Sequence, residues 1–510
     1  MTNTPSPPSS ARRKTLKQLS EEQKGHGLKR SLTATQLLVM GVGTTVGAGV
    51  YVMTGTAAAE YAGPAILLSF LLSALACLFT ALCYGELAST FPVSGSAYSY
   101  AYLSMGEKAA WAVGWLLLLE YCVAGTAVAS GLSGYLTSLL EIIHIHVPAF
   151  LSQTTLQSRV TPSGGTLALH PSFNLVGFIL VILVSLLLIR GTEESSRFNT
   201  LIVFLKIGVL ALFIIMGVGA INPHNWHPFI PPSQGNFHYG LSGVFRAASI
   251  VFFAYGGFEI VSTASAEARN PTRDVPIGII GSLAICTVIY IAVAAVLLGI
   301  VPYQQLDVAD PLAVATKVMH KPWLAVFINT GATIGLFSVL FGLIYAASRI
   351  LLTIGHDQLI PSFFCRIHDR FKTPLLGTLV LGLIMGTMTA TLPIALVGDL
   401  LCIGVTLAFA MVCFTVIWQR NRDPETERPF RVPFGGVTIH GFWIGIIPGL
   451  GILFCFFMLL PLFWNMIHAL MSGNPLPFIL LVIYVGLGVG TYYGYGKKHS
   501  IMAPRNNPPS

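Results

Sequence analysis

Apolar runs of about 20 residues, each long enough to cross the ~30 Å hydrocarbon core of a bilayer as a helix, recur along this chain. They fall near 34–61, 64–89, 111–139, 173–190, 198–221, 241–266, 276–301, 323–353, 375–394, 396–419, 442–463 and 475–496, twelve in all. In lipid every backbone polar group must be paired internally, so only helices and closed barrels can span. Barrel strands alternate polar and apolar side chains. Runs such as Leu175–Ile189 and Leu476–Leu487 do not alternate, which predicts a helical bundle. Composition agrees: 54% of the 510 residues are hydrophobic and 9% are charged, against about 25% charged in a soluble domain. That balance excludes a cytosolic enzyme, a nucleic-acid binder and a disordered scaffold.

The basic residues predict the orientation. With twelve spans both termini share one side. That side holds Arg12, Arg13, Lys14, Lys17, Lys24, Lys29 and Arg30 of the tail, and Lys108, Arg190, Arg349, Arg420, Arg428 and Lys497 among others. The opposite side holds only Arg159, Arg246, Lys317 and Lys321. The net charge of +8 is therefore topological, and no nucleic-acid partner is expected. The chain reads as a multi-pass protein of a cell membrane (inner or plasma) with cytosolic tails at 1–33 and 497–510. The inner connector 90–110 reads as an amphipathic segment on the inner membrane surface, and 354–374 as containing a short polar helix. The eight cysteines form no CxxC pattern, and His144 and His146 are two apart. No metal site, disulfide framework or cofactor is expected.

Two spans carry glycine where a continuous helix resists it. Gly41, Gly43, Gly47 and Gly49 cluster in the first, and Tyr255-Gly256-Gly257-Phe258 lies in the middle of the sixth. Glycine costs about 1 kcal/mol per residue in a helix interior. One reading is close helix packing through small residues. The other is broken backbone lining a cavity. Interruptions five spans apart favour the second, because they suit an inverted repeat of 34–221 and 241–419, with 442–496 outside it. A half-helix N-terminus suits a carboxylate, and unwound carbonyls suit an ammonium group. A zwitterion with both is an amino acid.

At this point the residues resemble a family. Gly43-Thr44-Thr45-Val46-Gly47-Ala48-Gly49-Val50-Tyr51 resembles the broken first helix of the amino acid–polyamine–organocation (APC) transporters. Phe252 to Glu259, followed by Asn270-Pro271-Thr272-Arg273-Asp274-Val275-Pro276-Ile277-Gly278, resembles the sixth-helix signature of their cationic amino acid transporter branch. Pro92 to Tyr98 and Arg428-Pro429-Phe430-Arg431-Val432-Pro433 fit the same branch. The resemblance implies a LeuT-type fold, a 5+5 inverted repeat plus two C-terminal helices, and alternating access. Carried over, the substrate carboxylate meets N–H groups near Ala48 and Gly49, with Gly47 also in the binding site. The amine meets carbonyls near Thr45, Phe253, Ala254 and Gly256, and Phe258 is an aromatic gate. The sequence departs from the pattern at Ala48, where Ser or Thr is usual, at Gly256, and at Ser265-Ala266-Glu267-Ala268.

Ionisable side chains deep in spans are costly and usually functional. Lys206 lies nine residues beyond Arg197, about 13 Å along the helix axis. It reads either as a paired structural lysine or as a titrating one. The resemblance implies that it stands where related transporters hold sodium, so the coupling ion is expected to be a proton and not sodium. Glu120, in Leu119-Glu120-Tyr121, reads as a counter-charge, a proton relay or a partner of Lys206. Glu259 reads as a gate or as a cap of the half-helix, Glu86 as structural, and Glu267 and Asp399 at most as gating pairs. The expected function is proton-coupled uptake of cationic or small neutral amino acids. An exchanger of the same fold is the alternative, and a membrane enzyme fits less well, since no GxSxG or HExxH motif is present. The bundle is large enough for a monomer; a small single-span membrane subunit is compatible with it. Gly49→Val is expected to block binding by filling the backbone cradle.

Overall fold

In the computed structural model the described residues are 14, 32–93, 96–161, 164–190, 196–368, 373–471 and 475–502. Ser94 and Gly95 of the resembling stretch, and the tail except Lys14, Leu32 and Thr33, lie outside them. Among the described residues nine helices are long and apolar enough to cross a membrane, and two shorter apolar helices accompany them.

The first span opens with α1 (Ala34–Thr45). A capping box starts it: the Gln36 N–H donates to the Thr33 hydroxyl, and the Thr33 N–H donates to Gln36 Oε1 at 2.9 Å. After Val46 and Gly47 the chain resumes in π turns at Gly49–Met53 and Ala58–Ala62, which flank a short helix at Thr54–Ala57. Helical backbone then runs on through α2 (Ile66–Thr90). The 42 residues of Gly49–Thr90 amount to about 63 Å at 1.5 Å per residue, twice a hydrocarbon core. Gly49–Ala62 therefore continues the span that α1 opens, and the chain turns into α2 at Gly63-Pro64. Gly63 has φ +55°, and a Cβ there would stand 2.6 Å from Pro231.

The remaining helices are α3 (Ser96–Ser104), α4 (Glu107–Ile142), α5 (Leu175–Ile189), α6 (Ser196–Val218), α7 (Gly240–Val251), α8 (Pro271–Ile300), α9 (Pro322–His356), α10 (Leu375–Thr391), α11 (Ile394–Arg422), α12 (Ile446–Met471) and α13 (Leu476–Thr491). α2 packs on α8, α4 on α9 and α5 on α10, and the two glycine-rich segments touch where each helix is interrupted. Two antiparallel hairpins decorate the connectors, β1 (Leu156–Thr161) with β2 (Gly164–Leu169) and β3 (Gly436–Ile439) with β4 (Phe442–Gly445).

Three expectations for the connectors are corrected. The segment read as lying on the inner membrane surface is the helix α3, and it is buried on nearly every side. Its small and aromatic residues fit between α4 and α11, and the Tyr98 hydroxyl donates to Asp357 at 2.5 Å. The short polar helix expected in 354–374 is a single 3-10 turn, Ser362–Cys365, carrying Phe363 and Phe364. The eleventh span does not begin at 442: Phe442–Gly445 is a strand, and the helix starts at Ile446. The Trp443 N–H donates to Asn421 Oδ1 at 2.5 Å, which holds that strand against the end of α11.

Candidate binding site

Both glycine-rich segments are interruptions of helix. Val46 leaves the helical region with ψ 96°, and Gly256 does so with ψ 140°. Between them lies a small cavity. Thr45, Gly47, Ala48, Gly49, Glu120, Phe253, Ala254, Gly256 and Glu259 all line it. Ala48 and Gly49 are in the first turn of the resumed helix, where no carbonyl of that helix reaches their N–H groups. The partial positive charge of that helix end thus faces the cavity.

Other polar groups point to a ligand. Glu120 is buried, and its Oε2 has no hydrogen-bond partner among the described residues; the Thr45 hydroxyl is also buried without one. An unmatched buried polar atom is costly, and a ligand can supply the missing partner. The Gly257 N–H donates to Glu259 Oε2 at 2.6 Å, so this carboxylate ties down the backbone of the interruption itself and does not cap the helix Ile260–Thr263 that follows. Glu259 also lines the cavity.

The structure departs from expectation at two points. Phe258 does not line the cavity. It is fully buried behind the interruption, with its ring 5.3 Å from Phe409 and 6.1 Å from Tyr84. Phe253 is the phenylalanine on the wall. Gly49 is in the cradle, but a Cβ there would meet Ala254 Cβ at 2.3 Å and Ala254 Cα at 2.4 Å. A larger residue at Gly49 would therefore drive the two interrupted helices apart before filling the cavity.

Lys206 is also off the cavity. It is 1% exposed, and its Nζ donates to the Gly43 carbonyl at 3.0 Å. That carbonyl belongs to the last turn of α1, so the lysine touches the site through the backbone of the first interruption. Sequence reasoning missed the second such contact. The Tyr290 hydroxyl of α8 lies 2.7 Å from the Thr45 carbonyl and 2.8 Å from the Ala254 carbonyl. The available signal was a lone hydroxyl in the apolar run Val288-Ile289-Tyr290-Ile291. Also missed were Thr44, Tyr121, Ala124, Val128, Val339 and Leu343 on the wall. Thr44 Oγ1 donates to the Gly257 carbonyl at 2.9 Å and so joins the two interruptions directly.

Ion pairs close both ends of the bundle. On the side of the longer connectors, the fully buried Arg246 holds Asp399 at 2.5 Å and lies over the Tyr61 ring. In the connector before α9, burial pushes the Asp310 carboxyl up to about 6. On the other side Arg420 grips both carboxylate oxygens of Glu86, with Nε to Oε1 at 2.8 Å. The Val432 N–H donates to the same carboxylate at 2.7 Å.

Residues 32–487 match the family model described as "Amino acid permease". Over 491 residues the chain is 39% identical to the methylthioribose transporter of Bacillus subtilis, covering 96% of this chain and 98% of that protein. It is 37% identical, with the same coverage, to the branched-chain amino acid permease BcaP of that organism. It is 34% identical to the vacuolar cationic amino acid transporter 4 of Arabidopsis thaliana, over 78% of this chain and 65% of that one. These relatives are named as transporters and permeases. The chain is a multi-pass membrane protein that belongs to the amino acid permease family of the APC superfamily.

Proposed function

We propose that this permease is a proton-coupled importer of small neutral or cationic amino acids. The observation that carries this reading is the cavity itself. It presents first-turn N–H groups at Ala48 and Gly49, carbonyl-bearing residues Thr45 and Ala254, and the unmatched Glu120 oxygen within one small volume. The N–H groups take the carboxylate. The carbonyls and Glu120 take the amine or a cationic side chain. The reading includes twelve crossings in a LeuT-type arrangement with both termini cytosolic, supported by the packing of helices five crossings apart and by the distribution of Lys and Arg.

Lys206 carries the coupling in this reading. Its protonated amine holds the Gly43 carbonyl and with it the end of α1. Loss of the proton weakens that tie, so the first interruption loosens as the proton leaves. The test is uptake into proteoliposomes with and without an inward proton gradient. The labelled panel is lysine, alanine, leucine and methylthioribose, the last because of the 39% identical relative. Gradient-stimulated amino acid accumulation is expected, with Lys206→Ala at least tenfold lower. Full accumulation by that variant removes the coupling role, and uptake that depends only on amino acid on the far side makes the protein an exchanger.

A further inference from the structure

Tyr290 is 0% exposed, sits on α8 outside the cavity lining, and belongs to no element of the reading above. Its ring is fixed between aromatic neighbours, 5.7 Å from Phe70 and 5.4 Å from Tyr255. The Tyr255 hydroxyl is itself held by the Phe70 carbonyl at 3.0 Å. With the ring fixed, the hydroxyl reaches two carbonyls on two different interrupted helices, Thr45 at 2.7 Å and Ala254 at 2.8 Å.

A phenol has one proton, and each carbonyl oxygen has two lone pairs. Two acceptors thus converge on one donor. At any moment the proton satisfies one of them, and the other is short of a donor in a site where unmet polar atoms are costly. An ammonium group brings three donors. It can complete whichever carbonyl the hydroxyl leaves, and still reach Glu120 across the cavity. Each carbonyl keeps a lone pair when it accepts from Tyr290, so the hydroxyl aims the carbonyls without blocking them.

We propose that Tyr290 is a positioning residue that holds the Thr45 and Ala254 carbonyls together as a receptor for the primary ammonium group of the substrate. The proposal rests on the amino acid reading of the cavity. It assigns the amine preference to a residue on α8 that touches no ligand. Tyr290→Phe keeps the ring between Phe70 and Tyr255 and removes only the shared donor. The two carbonyls then have no common anchor, and the receptor loses its preorganised spacing.

The experiment measures ligand-induced thermal stabilisation of the purified full-length protein, which reports folding and affinity in one scan. The probes are the best-bound amino acid and its α-hydroxy acid, which keeps the carboxylate and side chain and carries one donor in place of three. In Tyr290→Phe, affinity for the amino acid is expected to fall about tenfold while that for the hydroxy acid changes less than threefold, so the preference for the amine shrinks. Loss of affinity for both probes in equal measure, or a lower melting temperature with the wild-type ratio kept, makes Tyr290 a packing residue and overturns the proposal. A wild-type protein stabilised by no amino acid overturns the reading of the cavity as well, which separates the two failures.

Discussion

The two interruptions that face each other across the cavity are built differently. The first, at Val46 and Gly47, has no residue at positive φ. Its shape comes from elsewhere: Lys206 of α6 on the Gly43 carbonyl and Tyr290 of α8 on the Thr45 carbonyl. The second is largely closed by its own residues. Its Gly256 N–H donates to the Phe253 carbonyl at 2.7 Å, and its Gly257 N–H to Glu259. Gly257 has φ +116°, a conformation in which a side chain is strained. An interruption held by distant helices can respond when those helices move or titrate; one closed by its own residues behaves as a fixed wall. That contrast puts Lys206 on the first interruption and Tyr290 between the two, on the Thr45 carbonyl of the first and the Ala254 carbonyl of the second.

Substitutions at three glycines grade this contrast. Gly257→Ala is expected to have the largest effect, a loss of binding beyond a hundredfold, read by thermal-shift affinity. Its Cβ would stand 2.8 Å from the Thr44 carbonyl carbon, backbone against backbone, at a φ that costs about 1–3 kcal/mol by itself. Gly49→Ala comes next, with transport at least tenfold lower in proteoliposomes. The collision with Ala254 at 2.3 Å separates the two walls, so carrier-bound accessibility to water should rise as affinity falls. Gly47→Ala is the mildest, within about threefold of wild type, because its Cβ meets only the Val339 side chain, at 3.2 Å. A Gly47→Ala variant as damaged as Gly257→Ala would erase the distinction between a responsive and a fixed interruption.

Much of the site was legible because glycine inside an apolar span is a local anomaly. Gly47, Gly49, Gly256 and their neighbours announced broken backbone through propensity alone, and Glu120 and Lys206 stood out as charges at hydrocarbon depth. The errors fell where direction matters. Phe258 shares a short segment with Phe253, and only the path of the chain through Gly256 and Gly257 sends one ring to the cavity and the other toward Phe409. The α3 segment has the tyrosines of an interfacial helix, yet Asp357 and the faces of α4 and α11 offer them a buried place. Tyr290 was invisible as a site residue because its role is to touch two carbonyls that are 36 and 245 positions away along the chain.

Hydrophobic length, the charges at the ends of the spans and the placement of glycine follow from solvation and backbone propensity, and each acts on a few consecutive residues. These determined that the chain crosses a bilayer many times and that two crossings are interrupted. Tertiary packing decided which carbonyls meet which donors, which phenylalanine faces the cavity, and why Gly49 tolerates no Cβ. Those outcomes depend on contacts of a few ångströms between helices far apart in the chain, and spacing along one helix carries no information about them.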